Sequence, residues 1–343
     1  LPGATCGSAS PAGFVGNPLI SPLEIAMNTL MFGADLPALL KYPRTPHLEG
    51  SRLQEGDEGY EHVPYSQLAG RYIVIEEKLD GGNSGVSYDG AGDQLLQSRG
   101  HYLTGGGRER QFNLFKRWAS AHEGVLLERL EDRYVMYGEW LHKKHSVFYD
   151  ALPHFFAEFD IWDRSREVFL STDERAKVLA GAPVLAVPVL YAGIAPATIQ
   201  EMYLLIRNIT SARFPDELAR FFQAAGKVKS IREVKAWLPR SLAKSPAWRS
   251  RFEEVVQAEN LDVAKAWKHA DGSDLAEGLY IKVEEDGVTK ERYKWVRPDF
   301  VQAILDSDKH HAEQPFIPNQ LRAGVDIFAP QLTHTWGLDK EAV

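Results

Sequence analysis

The residues with most chemical potential stand together in Glu76-Glu-Lys-Leu-Asp-Gly-Gly-Asn83. The run Tyr72-Ile-Val-Ile75 leads into them and reads as a strand, and Asp-Gly reads as the turn that ends it. Lys78 then lies at a strand end, where its amine can project into a pocket and act as a nucleophile. The same pattern also describes a surface lysine beside a β-turn, so Lys78 needs partners before it means chemistry. Attack requires a neutral amine, and a free lysine with a pKa of ~10.4 is neutral in only about one molecule in 10³ at pH 7. Burial or nearby cations lower that pKa, whereas nearby carboxylates raise it unless a divalent metal or an arginine offsets them.

Five further patterns follow in order: Ser98-Arg99-Gly100, Tyr137-Gly-Glu139, Phe156-Ala-Glu-Phe-Asp-Ile161, Glu277-Gly-Leu-Tyr-Ile-Lys282 and Arg292-Tyr-Lys294. Each alone has an ordinary reading: Phe159 as core, Arg99 as a turn residue, Glu139 and Glu277 as surface carboxylates in weak ion pairs. In this order they resemble the covalent nucleotidyltransferase superfamily of ATP-dependent ligases and capping enzymes. The spacing from Lys78 to Asn83, and that from Glu277 to Lys282, resembles the RNA-editing-type branch of RNA ligases in particular. The resemblance runs from Lys78 to Lys294.

That resemblance implies an enzyme that joins 3′-hydroxyl and 5′-phosphate ends of a polynucleotide, RNA above all, through a lysyl-adenylate on Lys78 and an adenylated 5′ end. It implies ATP and Mg²⁺ or Mn²⁺ as cofactors. Lys78, Lys282 and Lys294 are the candidate catalytic residues. The implied nucleotide-binding set is Glu77, Asp80, Asn83, Arg99, Glu139, Phe159, Glu277, Lys282, Arg292 and Lys294. Within it, Arg99 is expected on phosphate or ribose, Glu139 on the ribose hydroxyl and Phe159 on the adenine face. Lys282, Arg292 and Lys294 are expected on phosphate oxygens, and Asp80 and Asn83 to organise the pocket and meet the nucleic-acid phosphate later. Asp160 and Glu277 are the implied metal-associated carboxylates. Two features depart from the pattern: Asp80 is shared with the DNA ligases and capping enzymes, and Arg292 stands where lysine is usual. Arginine keeps charge and bidentate geometry but cannot donate a proton near neutrality. A DNA ligase or guanylyltransferase is the alternative enzyme, and an inert nucleic-acid-binding module the alternative from another class.

The elements that must position these residues are legible in outline. Strands are expected at Arg71-YIVIEEKLD-Gly81, Gln94-LLQSRG, Tyr134-VMYGEWL, His154-FFAEFDIWD and Gly278-LYIKVEE, with Arg292 and Lys294 sharing one face of a further strand. Helices are expected near residues 22–40, over 111–130 and 172–179, within a block at 198–269, and near 299–306. Helix starts in that block are expected at Pro215-Asp-Glu, Ser230-Ile-Arg-Glu and Ser245-Pro-Ala-Trp. This order predicts an α+β chain with the nucleotidyltransferase (ATP-grasp-like) fold of antiparallel sheets, flanking helices and a helical insertion. The proline-interrupted segment after Lys294 leads us to expect no OB domain. The expected organisation is an irregular lead at 1–30, an adenylyltransferase domain at 31–297 and a short tail at 298–343.

Composition narrows the class. The 343 residues carry 39 Lys+Arg, 47 Asp+Glu and a net charge of −8, which argues against a simple basic coat protein for nucleic acid. A single cysteine, Cys6, excludes an internal disulfide and a Cys-based zinc site, and fits a reducing, cytoplasmic compartment. No apolar run is long enough to span a membrane. Charge is locally reversed at residues 227–251, where Lys227, Lys229, Arg232, Lys235, Arg240, Lys244, Arg249 and Arg251 face one acid, Glu233. With Trp237 and Trp248 interleaved, this stretch is the candidate surface for nicked or broken nucleic acid, read through backbone charge rather than sequence. His142-Lys-Lys-His145 reads as a solvated basic turn, and Gly105-Gly-Gly107 as a phosphate loop or a linker. A monomer working after an end-processing kinase or phosphatase is the expected setting.

Overall fold

A computed structural model describes residues 36–53, 62–212, 240–300 and 315–329. The chain divides into two units, Leu1–Leu40 and Lys41–Val343. Of the first, only residues 36–40 are described; they form no regular element, and the rest of the helix expected at 22–40 lies outside the described residues. The expected helix starts at Pro215 and Ser230 and nearly all of the helix at 299–306 also lie outside them.

The second unit is built on a ten-stranded sheet. Its strands are β1 (Tyr72–Lys78), β2 (Gly82–Tyr88), β3 (Gln94–Ser98), β4 (Tyr134–Trp140), β5 (Phe156–Asp163), β6 (Val168–Leu170), β7 (Leu185–Ala186), β8 (Val189–Ile194), β9 (Gly278–Glu285) and β10 (Val288–Val296). The spatial order is β3-β2-β4-β5-β6-β10-β9-β1-β8, with β7 beside β5. Only the β5–β7 pair is parallel. The expected antiparallel α+β architecture is thus present as one continuous sheet.

Alternation along three neighbouring strands decides what each face carries. Ile73 and Ile75 of β1, Leu279, Ile281 and Val283 of β9, and Tyr293 and Trp295 of β10 share one buried cluster. Each such side chain contributes about 1.5–3 kcal/mol on burial. The opposite face therefore carries Glu76 and Lys78, Gly278, Tyr280 and Lys282, and Arg292 and Lys294. The register aligns them in rows: Lys78, Gly278 and Val296; Glu76, Tyr280 and Lys294; Val74, Lys282 and Arg292.

Helices cover the other half. The helix expected over 111–130 is two, α1 (Asn113–Ala121) and α2 (Glu123–Leu130), because His122 leaves helical dihedrals. Phe115, Trp118 and Ala119 of α1 and Leu126 and Leu130 of α2 pack with Met136 and Phe156 in the largest core cluster. After β6 comes α3 (Thr172–Val178), capped by the Ser171 hydroxyl. In the expected helical block, α4 (Ile199–Ala212) packs through Ile199 and Met202 on the β1–β9–β10 cluster. Further on, α5 (Trp248–Ala258) starts after Ser245, and α6 (Val263–Lys268) follows; their apolar faces meet Phe148 and Ile317.

Candidate active site

Lys78 is the last residue of β1, and its Nζ lies 2.8 Å from Glu277 Oε2 and 5.9 Å from the centre of the Tyr280 ring. Its side chain is 18% exposed, enough to meet a ligand, and that of Glu277 is 3% exposed. Beside Glu277, Gly278 lets β9 lie close against β10, since a Cβ there would collide with the Trp295 carbonyl. Across the cleft, Asn83 pairs with Glu139, and the Gly81 N–H donates to Glu139 Oε1 at 3.0 Å. Gly138 is likewise obligatory, because a Cβ would run into the Phe156 ring.

Electrostatics in this cleft run opposite to what an attacking amine needs. Burial would push Lys78 down, but the charges of Glu277, Tyr280 and Glu139 and the bond to Glu277 outweigh it, so its pKa stands above the ordinary lysine range. Burial pushes Glu139 up to about 8 and Glu277 up to about 7, against the pull of Lys78. The protein alone therefore holds Lys78 protonated, and the expectation of a neutral amine is not met by these residues unaided.

Several expected residues occupy other places. Glu77 points to the opposite face of β1, where its carboxylate accepts the Ser241 hydroxyl and the Leu242 N–H; it anchors the 241–242 turn rather than a nucleotide. Lys282 is buried; it lies 2.8 Å from Glu76 and 3.2 Å from Asp160, and donates to the Phe159 carbonyl, so its charge is met by two carboxylates within the protein. Asp160 is enclosed by Lys282, by Arg292 at 3.3 Å and by the Tyr42 hydroxyl at 2.6 Å, which leaves no open side for a metal. Arg292 stacks 3.6 Å above Phe169 and turns from the Lys78 end of the cleft, whereas Lys294 lies on the row next to Lys78 and its charge reaches Glu277.

The remainder sit near Lys78. The Asp80 carboxylate accepts the Ser146 and Val147 N–H groups at 2.6 and 2.7 Å, fixing a turn beside the cleft. Arg99 is exposed one residue beyond the β2–β3 pairing, across from Asn83. Phe159 is the extra residue where β5 slips against β4, and its ring lies 6.3 Å from that of Tyr280 with planes 12° apart.

Sequence reasoning missed Arg175 of α3, which bonds Glu76 at 2.6 Å and Glu158 at 3.0 Å with no exposure at all. It also missed Tyr42, 5.0 Å from Phe159, and Tyr280. Strand alternation could have found Glu76 and Tyr280; no local signal marks Arg175. The turn 142–145 is not solvated: Lys143 and Lys144 are each 5% exposed, and burial holds His145 down at about 3, helped by Lys143, Lys144 and Lys78. Gly105 and Gly106 take φ +126, and the Gly105 N–H donates to Glu109. Of the basic stretch, Lys227, Lys229, Arg232, Lys235 and Trp237 lie outside the described residues. Lys244 is buried, donating to Ser273 O at 2.6 Å and lying 4.3 Å from the buried Trp248 ring, so neither forms surface. Arg240 lies 3.8 Å from Asp274; Arg249 stacks on Trp248, and Arg251 meets Glu254 at the surface.

For a divalent metal the donors are few. Among the described residues no three His, Cys, Asp or Glu side chains form a metal-binding group. Glu139 and Glu277 remain, with the buried Asn83 Oδ1, which has no hydrogen-bond partner. One or two carboxylates suit a hydrated Mg²⁺ shared with substrate phosphates, and do not suit a cage made wholly of protein.

The family model described as RNA ligase matches residues 71–296. Among solved structures, the chain is similar to Naegleria gruberi RNA ligase with PPi, at 16% identity and a TM-score of 0.40, over 78% of this chain and 64% of that one. A mutant of that ligase with ATP and Mn matches at 15% identity and 0.37, over 68% and 52%. An archaeal ATP-dependent RNA ligase matches at 14% and 0.36, over 74% and 48%. The chain thus spans about half to two thirds of the length of these proteins. No curated protein matches it. The matched segment holds every one of the six patterns around the cleft, and the chain belongs to the RNA ligase family.

Proposed function

We propose that this protein is an ATP-dependent RNA ligase of the RNA-editing-type branch. The observation that carries the reading is the half-buried amine of Lys78, 2.8 Å from Glu277 and facing Glu139 across the cleft. The Lys78 proton passes to Glu277, whose carboxyl is pushed up to about 7 and so accepts it more readily than an ordinary carboxylate. The freed amine attacks the α-phosphorus of ATP; the P–N bond forms as the bond to the bridging oxygen breaks, and pyrophosphate leaves with that electron pair. Lys294 faces the departing charge from the adjacent row. Phe159 and Tyr280, near-parallel with ring centroids 6.3 Å apart, offer an aromatic face on which a purine can stack. A metal ion held by Glu139 and Glu277 would screen the triphosphate charge. AMP then passes to a 5′-phosphate, and a 3′-hydroxyl displaces it.

A kinase or phosphatase acting beforehand would supply such ends where a break lacks them. The test is sealing of nicked duplexes with ATP and Mg²⁺ or Mn²⁺. Wild type should seal 5′-phosphorylated RNA and Lys78→Ala should not. Sealing of DNA alone would contradict the RNA assignment, and failure on every substrate would contradict the ligase reading.

A further inference from the structure

A cavity of about 530 Å³ opens between the β5–β6 hairpin, residues 44–46 and β10. Lys290 on its rim is six residues along β10 from Val296, the residue in the Lys78 row, a distance of about 20 Å. Its walls combine two kinds of group. Trp162 packs edge-on against Phe169 with centroids 4.8 Å apart. Arg44, Lys290 and Arg292 bring positive charge. Two acids also line it, but Glu291 is engaged by Arg71 at 2.8 Å and by the Tyr293 hydroxyl, leaving Glu167 at the hairpin tip. Arg292 covers the outer face of Phe169 and leaves half-buried Trp162 as the aromatic surface open to a planar ligand.

An aromatic wall beside a cationic rim, at a volume that holds one nucleotide, is the chemistry of base stacking with phosphate pairing. We propose that this cavity is a second nucleotide-binding site, taking one nucleoside monophosphate unit with its base on Trp162 and its phosphate at Lys290 and Arg44. The unit comes from a single strand or from free nucleotide. The site does not depend on the activity of Lys78, and Arg292, held by Asp160 at 3.3 Å, connects it to the closed end of the main cleft.

The test uses the full chain with a fluorescent 5′-phosphorylated hexa-adenylate and with free AMP. Lys290→Glu and Trp162→Phe are compared with wild type, and adenylation of Lys78 serves as the control, unchanged in Lys290→Glu. Strand binding predicts about tenfold weaker hexa-adenylate affinity in Lys290→Glu and a shallower salt dependence. Free-nucleotide binding predicts instead a Lys290-dependent loss of AMP affinity and of tryptophan quenching. Wild-type affinity for both probes in both variants would overturn the site.

Discussion

At the scale of the residue, the decisive feature is a lysine whose neighbours resist its reaction. Glu277 and Glu139 hold Lys78 protonated, and burial holds both carboxyls near neutrality, at about 7 and 8. Adenylation should therefore rise with pH as these carboxyls and the amine give up protons, across a window that begins near 7. Glu277→Gln keeps the size of the side chain and removes the charge that raises Lys78. Its pH–rate midpoint should move down by about 1–3 pH units, with a lower plateau from loss of the proton acceptor. Single-turnover adenylation from pH 5.5 to 9.5 measures this, and an unmoved or rising midpoint would contradict the electrostatic account. Much of this site was legible through the family resemblance: Lys78, Glu139 and Glu277 meet in one cleft, with Lys294 on the next row. Lys282 and Asp160 could not be read in that way. A lysine and an aspartate announce charge in a sequence, and only the fold reveals that they pair with each other in a buried network.

At the scale of the element, alternation explains both what was visible and what was hidden. β1, β9 and β10 alternate over part of their length, with Ile73 and Ile75, Leu279, Ile281 and Val283, and Tyr293 and Trp295 on the apolar face, and β-branched and aromatic residues made the strands legible. β2, Gly-Asn-Ser-Gly-Val-Ser-Tyr, was not, because its composition is that of a turn; pairing with β3 on one side and β4 on the other makes it a strand. The slip of β5 at Phe159 is set by a partner distant in sequence. Arg175 was hidden for a similar reason: a helical arginine suggests solvent, yet α3 turns it into the sheet between Glu76 and Glu158. Arg175→Met should cost about 3–5 kcal/mol, because it leaves two buried carboxylates short of a cation. Urea unfolding checks this, and a midpoint like that of wild type would mean the network does not hold α3 to the sheet.

At the scale of the molecule, a net charge of −8 places any attraction for nucleic acid in local patches. The basic stretch at 227–251 was legible as charge but not as surface. Lys244 is buried beneath Trp248, while Arg249 and Arg251 are exposed. Lys244→Met should lower the unfolding midpoint and leave the salt dependence of RNA binding unchanged. If this face meets the backbone, Arg251→Ala should reduce the slope of log affinity against log salt by about one without affecting stability. Reversed effects of the two variants would show that the stretch does not bind as described. The central claim, that the whole sheet serves to present one amine to a nucleoside triphosphate, is tested most directly by incubating the protein with ATP labelled at the α-phosphate and a divalent metal, then mapping the label. The account predicts one acid-labile adenylate per chain, on Lys78, absent from Lys78→Ala. Label on another residue, or a wild-type protein that never takes label across Mg²⁺ and Mn²⁺, would contradict it.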